Sequence, residues 1–223
     1  MKYHLLLAVI GLSSTFAHAE GAGASVKGGT LGLGAEVSTQ VSEKVTARIG
    51  FNAYDYKFTG TQSSVDYDID LKLQTVSALA DWYPWAGTFR TSAGLMYNNN
   101  KATLHGVPSA GATYTINGTP YAANSAVQSM DGSMSFKPVA PYLGVGWGNP
   151  VATEKKWGFV VDVGFLYQQS PETSLRVTCA STLSAGNCAT LQADAAAEQA
   201  KFQDSLSSYK WWPVISLGVS YQF

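Results

Sequence analysis

Charged side chains are scarce in this sequence, at 13% of residues, and several fall where a charge is hardest to explain. Glu36, Arg48, Lys72, Arg90 and Asp162 each interrupt a stretch in which every second residue is large and apolar. Asn52, Gln74, Asn98, Gln168 and many glycines share their parity. Both signs are present, so two chemistries suit the set. It can form ion pairs that fill an interior, because a buried charge needs a partner, or it can ring a constriction that small polar solutes pass. Asp55, Asp66, Asp68 and Asp70 form a second group, an acidic patch expected at the mouth, where it would concentrate cations. Hydrolytic chemistry generally needs a His base beside a Ser or Asp. The only histidine after residue 19 is His105, expected in a loop just past a strand, so no catalytic residue is assigned. No cofactor or metal is expected either. Cys179 and Cys188, the only cysteines, lie in a polar stretch and are expected as a disulfide closing a short loop.

The elements that must position these residues are strands. Period-two alternation outweighs any helical period over most of the chain. In "TLGLGAEVSTQ" Leu31, Leu33, Ala35 and Val37 oppose Gly32, Gly34, Glu36 and Ser38, and "VTARIGFNAYDY" sets Val45 to Ala53 against Arg48 and Asn52 in the same way. "DYDIDLKLQTVSALADWY" places Leu71 and Leu73 opposite Lys72 and Gln74, then changes apolar parity past Thr75, which predicts a bulge. "TFRTSAGLMYNNN", "SFKPVAPYLGVGWG", "WGFVVDVGFLYQQ" and the terminal "WWPVISLGVSYQF" complete seven strands. The eighth is "GAGASVK", joined to its neighbour by Gly28-Gly29 and short for a spanning strand.

Residues 1–19, with an apolar run from Leu5 to Leu12 and the small-x-small Ala17-His18-Ala19, read as a secretory signal peptide. Residues 20–223 then form one domain. The formal net charge of −1 gives no footprint for nucleic acid. Aromatics at 12% gather at turns, as the interfacial girdles of a membrane barrel do. Short turns alternate with long connections at 102–132 and 171–209, which are expected as extracellular loops. The first contains Asn117-Gly118, a small hairpin signal, and the second an Ala-, Gln- and Glu-rich stretch that favours a helix. The fold class is therefore all-β: an eight-stranded antiparallel transmembrane β-barrel of the outer-membrane type, with outer-membrane lipid as its surroundings.

The stretches "DWYPWAGTFRTSAGLMYNNN", "APYLGVGWGN", "QSPETSL" and "SYKWWPV" resemble segments of the carbapenem-susceptibility-associated outer-membrane proteins of Gram-negative bacteria, in the same order. The resemblance implies a monomeric eight-stranded barrel, linked in that family to uptake of basic amino acids such as ornithine and of carbapenem drugs. The terminal Phe223 matches the signal read by the barrel-assembly machinery, an expected partner. The functional expectation is a narrow porin-like channel for small polar solutes, with Glu36, Lys72, Arg48, Arg90 and Asp162 at its constriction. The alternative is a non-conducting structural or surface-binding barrel that acts through its extracellular loops.

Overall fold

A computed structural model describes residues 21–223 except 63–64, 86, 109–110 and 152–155, and the side chains of 61, 62, 65–67 and 108 are also outside the description. The expected signal peptide lies outside the described residues. In chain order the strands are β1 (Ala22–Gly29), β2 (Gly32–Ser42), β3 (Val45–Gln62), β4 (Val65–Trp82), β5 (Phe89–Asn98), β6 (Lys101–Pro108), β7 (Thr113–Ile116), β8 (Thr119–Ala122), β9 (Val127–Ser135), β10 (Val139–Trp147), β11 (Trp157–Tyr167), β12 (Glu172–Cys179) and β13 (Trp211–Gln222). One helix, α1 (Ala185–Leu206), stands between β12 and β13.

Eight of the strands close a barrel in the order β1-β2-β3-β4-β5-β10-β11-β13, and β13 pairs back onto β1 from Gly23↔Gln222 to Gly29↔Ser216. All pairings are antiparallel, and closure removes every edge within the wall. The short β1 is held on both sides, by β2 and by β13.

Outward positions are apolar and bare: Leu33, Ile49, Leu143, Phe159 and Leu217 are each 60% exposed or more. A belt of that extent is stable in lipid, not in water. Aromatic rings border it at both ends. At the short-turn end Trp85, Phe89 and Trp147 meet in series through tilted and edge-on contacts, and Trp157, Tyr221 and Phe223 meet edge-on. At the other end Tyr167 meets Trp211 with ring centroids 4.7 Å apart. The tilted span of β11 between these rims is about 25 Å, the height of an outer-membrane apolar band.

Above that band the wall does not stop everywhere. β3 and β4 run on, and β5, β10 and β11 continue, after breaks of two to four residues, as β6, β9 and β12. These form an upper sheet, β3-β4-β6-β9-β12, continuous with the wall through β3 and β4, whose inner face looks toward α1. The segment 102–132, expected as a loop, is thus mostly strand. Its Asn117-Gly118 pair, with φ of 53° and 83°, turns the β7–β8 hairpin.

No bulge occurs at Thr75. β4 pairs with β3 residue by residue from Val65 to Trp82 without a register shift. The change of apolar parity has another cause: below Thr75 the apolar face of β4 looks out to lipid, and above it the apolar face looks in, toward the helix. Leu73 is buried with Thr75 on the inner side, and Lys72 is exposed on the outer side. The parity switch marks where the strand leaves the bilayer.

Candidate functional site

Small inward residues decide what the barrel can contain. A Cβ on Gly50 would meet Glu36 Cγ at 2.7 Å, and one on Gly146 would meet the Arg90 guanidinium at 3.0 Å. The glycines make room for side chains from neighbouring strands, so the interior fills instead of opening, as eight strands predict.

Six charged side chains meet there. Lys27 from β1 lies 2.6 Å from Glu36 of β2 and 3.3 Å from Asp162 of β11. Arg48 of β3 reaches Glu36 at 3.0 Å and both Asp81 of β4 and Asp162 at 3.1 Å. Arg90 of β5 donates to Asp162 at 2.7 Å and approaches Asp81 at 3.7 Å. It also donates to the Gly148 carbonyl. Ser92 and Ser216 donate to Asp81 and Asp162. No member's side chain exceeds 7% exposure. Three cations face three anions, so the hexad is neutral and each charge has at least two opposite partners, the condition under which buried charge is tolerated.

Toward the outer end an apolar layer lies on the hexad: Leu31, Leu79, Met96, Ala140, Tyr142, Leu166 and Val214, with Trp212 against them. Between the layers remains a cavity of about 10 Å³, room for about one water. Beyond it, Asn52 donates to Thr75 and Asn98 to Gln168.

Of the expected constriction residues, Glu36, Arg48, Arg90 and Asp162 are brought together. Lys72 is not: it stands on the outer face above the membrane, in register with Asp55 of β3 and Lys101 of β6, because the apolar face of β4 there looks in toward the helix and not out to lipid. Sequence reasoning missed Lys27 and Asp81. Charge balance was a usable signal, since the expected five carry a net charge of +1, whereas exchanging Lys72 for Lys27 and adding Asp81 brings the set to zero.

The acidic patch also differs from expectation. Asp55, Asp68 and Asp70 are exposed on the outer face of the upper sheet, not around a mouth, and the side chain of Asp66 lies outside the described residues. Bases interleave with them: Lys57 pairs with Asp70 at 3.3 Å, and His105 of β6, in a strand and not a loop, meets Asp131 of β9 at 2.5 Å. The face carries mixed charge.

Over the inner face of the upper sheet, α1 is fastened by polar contacts. Ser184 caps it, accepting from the Asn187 amide. Cys179 at the end of β12 is disulfide-bonded to Cys188 in its first turn. Gln199 and Gln203, one helical turn apart, imitate a neighbouring strand for the edge of β12. Their side-chain oxygens accept from the Leu175 and Thr173 amides at 3.2 and 2.9 Å, and their nitrogens donate to the Thr173 and Pro171 carbonyls. Asp194 accepts from Asn117 at 3.0 Å and from Tyr121 at 2.5 Å, tying the β7–β8 hairpin to the helix. Those bonds, from Asn117 first and then Tyr121, hold the Asp194 carboxyl below the ordinary carboxylate value, and the same contact pushes the Tyr121 phenol up.

No protein-family model matches the sequence, and no curated protein matches it. Solved structures do. The fold is similar to that of CarO from Acinetobacter baumannii, at 25% identity over 90% of this chain and 97% of that one, with a TM-score of 0.57. CarO2 from Acinetobacter baumannii gives 24% identity over the same shares and a TM-score of 0.56. The resemblance to the carbapenem-susceptibility-associated proteins therefore holds in three dimensions as well as in the quoted segments. The protein is an outer-membrane β-barrel.

Proposed function

We propose that this barrel is closed in its resting form and works through the module above the membrane, as a surface-binding protein. The observation that carries the reading is the filled lumen: a neutral hexad beneath an apolar layer, with about 10 Å³ left between them. Passage of a small polar solute, such as a basic amino acid, would require the ion pairs of Arg48, Arg90 and Asp162 to part and Leu79, Met96 and Tyr142 to move aside. The connections β2–β3, β4–β5 and β10–β11 lie at one end of the barrel, and the built module lies at the other together with the two-residue β1–β2 turn, the arrangement of a barrel whose elaborated end faces outward. Assembly is proposed to start from β13, whose alternation ends at Phe223.

Planar-bilayer conductance and liposome swelling with glycine and arginine test this. The expected result is conductance at the lipid background and swelling equal to empty liposomes. Discrete conductance steps, or swelling that scales with protein, would return the protein to the narrow-channel reading.

A further inference from the structure

The upper sheet has an apolar inner face that α1 covers only in part. In the upper half Leu191 and Ala195 pack with Tyr114, Ile116, Val127 and Val177 into a small core. Lower down the helix presents Glu198, Gln199 and Phe202 on one side and the sheet Leu104, Met130, Met134 and Leu175 on the other, with Gln199 bridging to the β12 edge. A cleft of about 510 Å³ lies between them, within the range of small-molecule sites. A helix that served only to bury this sheet would place aliphatic residues at 198 and 199. Here those positions are polar, and Gln199 spends both ends of its amide on the edge of β12, which fixes the helix to one side of the sheet face. The disulfide at one end and the Gln203 contacts at the other fasten the same wall. Phe202 is left 53% exposed beside the cleft. The site is apolar, and its helix wall is anchored along the β12 edge.

Glu198 is the one charged side chain among the described residues that line it. Its carboxylate accepts from the Asn117 amide at 3.2 Å, and Lys201 stands 3.9 Å away with its ammonium donating to Asn117 Oδ1 at 2.7 Å. The carboxylate side chain stays 30% exposed. A single anion at the rim of an apolar cleft favours a ligand that brings a cation and disfavours one that brings a second anion. The unbranched thioethers of Met130 and Met134 adapt to an aliphatic or aromatic body. We propose that this cleft binds a small amphiphile with an apolar or aromatic body and a cationic amino head seated on Glu198. The inference rests on the reading of the module as the working part of the protein.

The methionines report on it directly, because Met130 and Met134 line the cleft and Met96 is buried inside the barrel. The full-length protein, carrying 13C-methyl methionine in lipid nanodiscs, is titrated with 4-phenylbutylamine and, separately, with 4-phenylbutyrate. Saturable shifts of Met130 and Met134 with Met96 unmoved are expected, with the amine binding about tenfold more tightly than the carboxylate, as one charge-assisted contact provides. Glu198→Gln removes that preference, and Phe202→Ala weakens both probes. Absence of saturable shifts, equal movement of Met96, or a carboxylate that binds as well as the amine overturns the proposal. A conducting protein would refute the closed-barrel reading and leave these shifts standing, so the two failures are distinguishable.

Discussion

Replacing Asp162 by Asn tests the hexad at its centre. The Asp162 carboxylate touches all three cations, Arg90 at 2.7 Å, Arg48 at 3.1 Å and Lys27 at 3.3 Å, and accepts from Ser216 at 3.3 Å. Asn keeps the shape and one acceptor but leaves three buried cations facing two anions. Breaking a buried ion pair by removing one partner costs about 3–5 kcal/mol, because the orphaned charge has lost its solvation and gained nothing. Asp162→Asn is therefore expected to lower stability by about 3–5 kcal/mol in urea unfolding of the vesicle-inserted protein, followed by tryptophan fluorescence. Adding Arg90→Gln restores equal charge, with Lys27 and Arg48 facing Glu36 and Asp81. The double variant is expected to recover about 2 kcal/mol relative to the sum of the two single changes, within the range for residues sharing one network. An Asp162→Asn protein within about 1 kcal/mol of the parent, or strict additivity in the cycle, would refute the claim that the six charges act as one unit.

Reducing the Cys179–Cys188 disulfide opens a loop with a sequence separation of 9, which removes about 2–3 kcal/mol of constraint from the module and none from the barrel wall; faster proteolysis near residues 180–190, with unchanged heat-modifiable migration on SDS gels, is the expected result. Because the folded Asp194 carboxyl is held below its ordinary value, its contribution is present above that value and is lost as pH falls through the folded pKa; hydrogen exchange of the Thr113–Ala122 hairpin, corrected for intrinsic rate, is expected to stay slow at pH 5 and to accelerate below about pH 3.9. Gln199→Leu with Gln203→Leu strips the β12 edge of its amide partners, and faster exchange at Thr173 and Leu175, with the β10 and β13 amides unchanged, checks it.

The wall was legible because lipid outside and side chains inside impose a strict parity, and Ile215, Leu217 and Val219 on β13 follow it from end to end. Glu36, Arg48, Arg90 and Asp162 could be picked out for the same reason: each breaks an apolar strand on its inward side. Legibility failed where the surroundings changed along a single strand. β4 passes from lipid into water near Thr75, and the rule that apolar means outward reverses there, which misplaced Lys72 and suggested a bulge that the unbroken register excludes. The upper sheet was missed because Lys101 and Glu172 open, and Ser135 closes, strands separated from barrel strands by short breaks. Those breaks look like the start of loops, and the pairing partners lie far apart in sequence.

The hexad draws its members from six positions around the ring, and one of them, Lys27, sits on β1 beside the β1–β13 seam. Lys27 stays beside Glu36 through the β1–β2 pairing, so closing the β1–β13 seam is what brings its ammonium to Asp162 of β11. A strand zipped one residue out of register would turn a charge toward lipid. The contact of Lys27 with Asp162 thus joins the first strand to the last part of the wall, and it is made only in the closed cylinder.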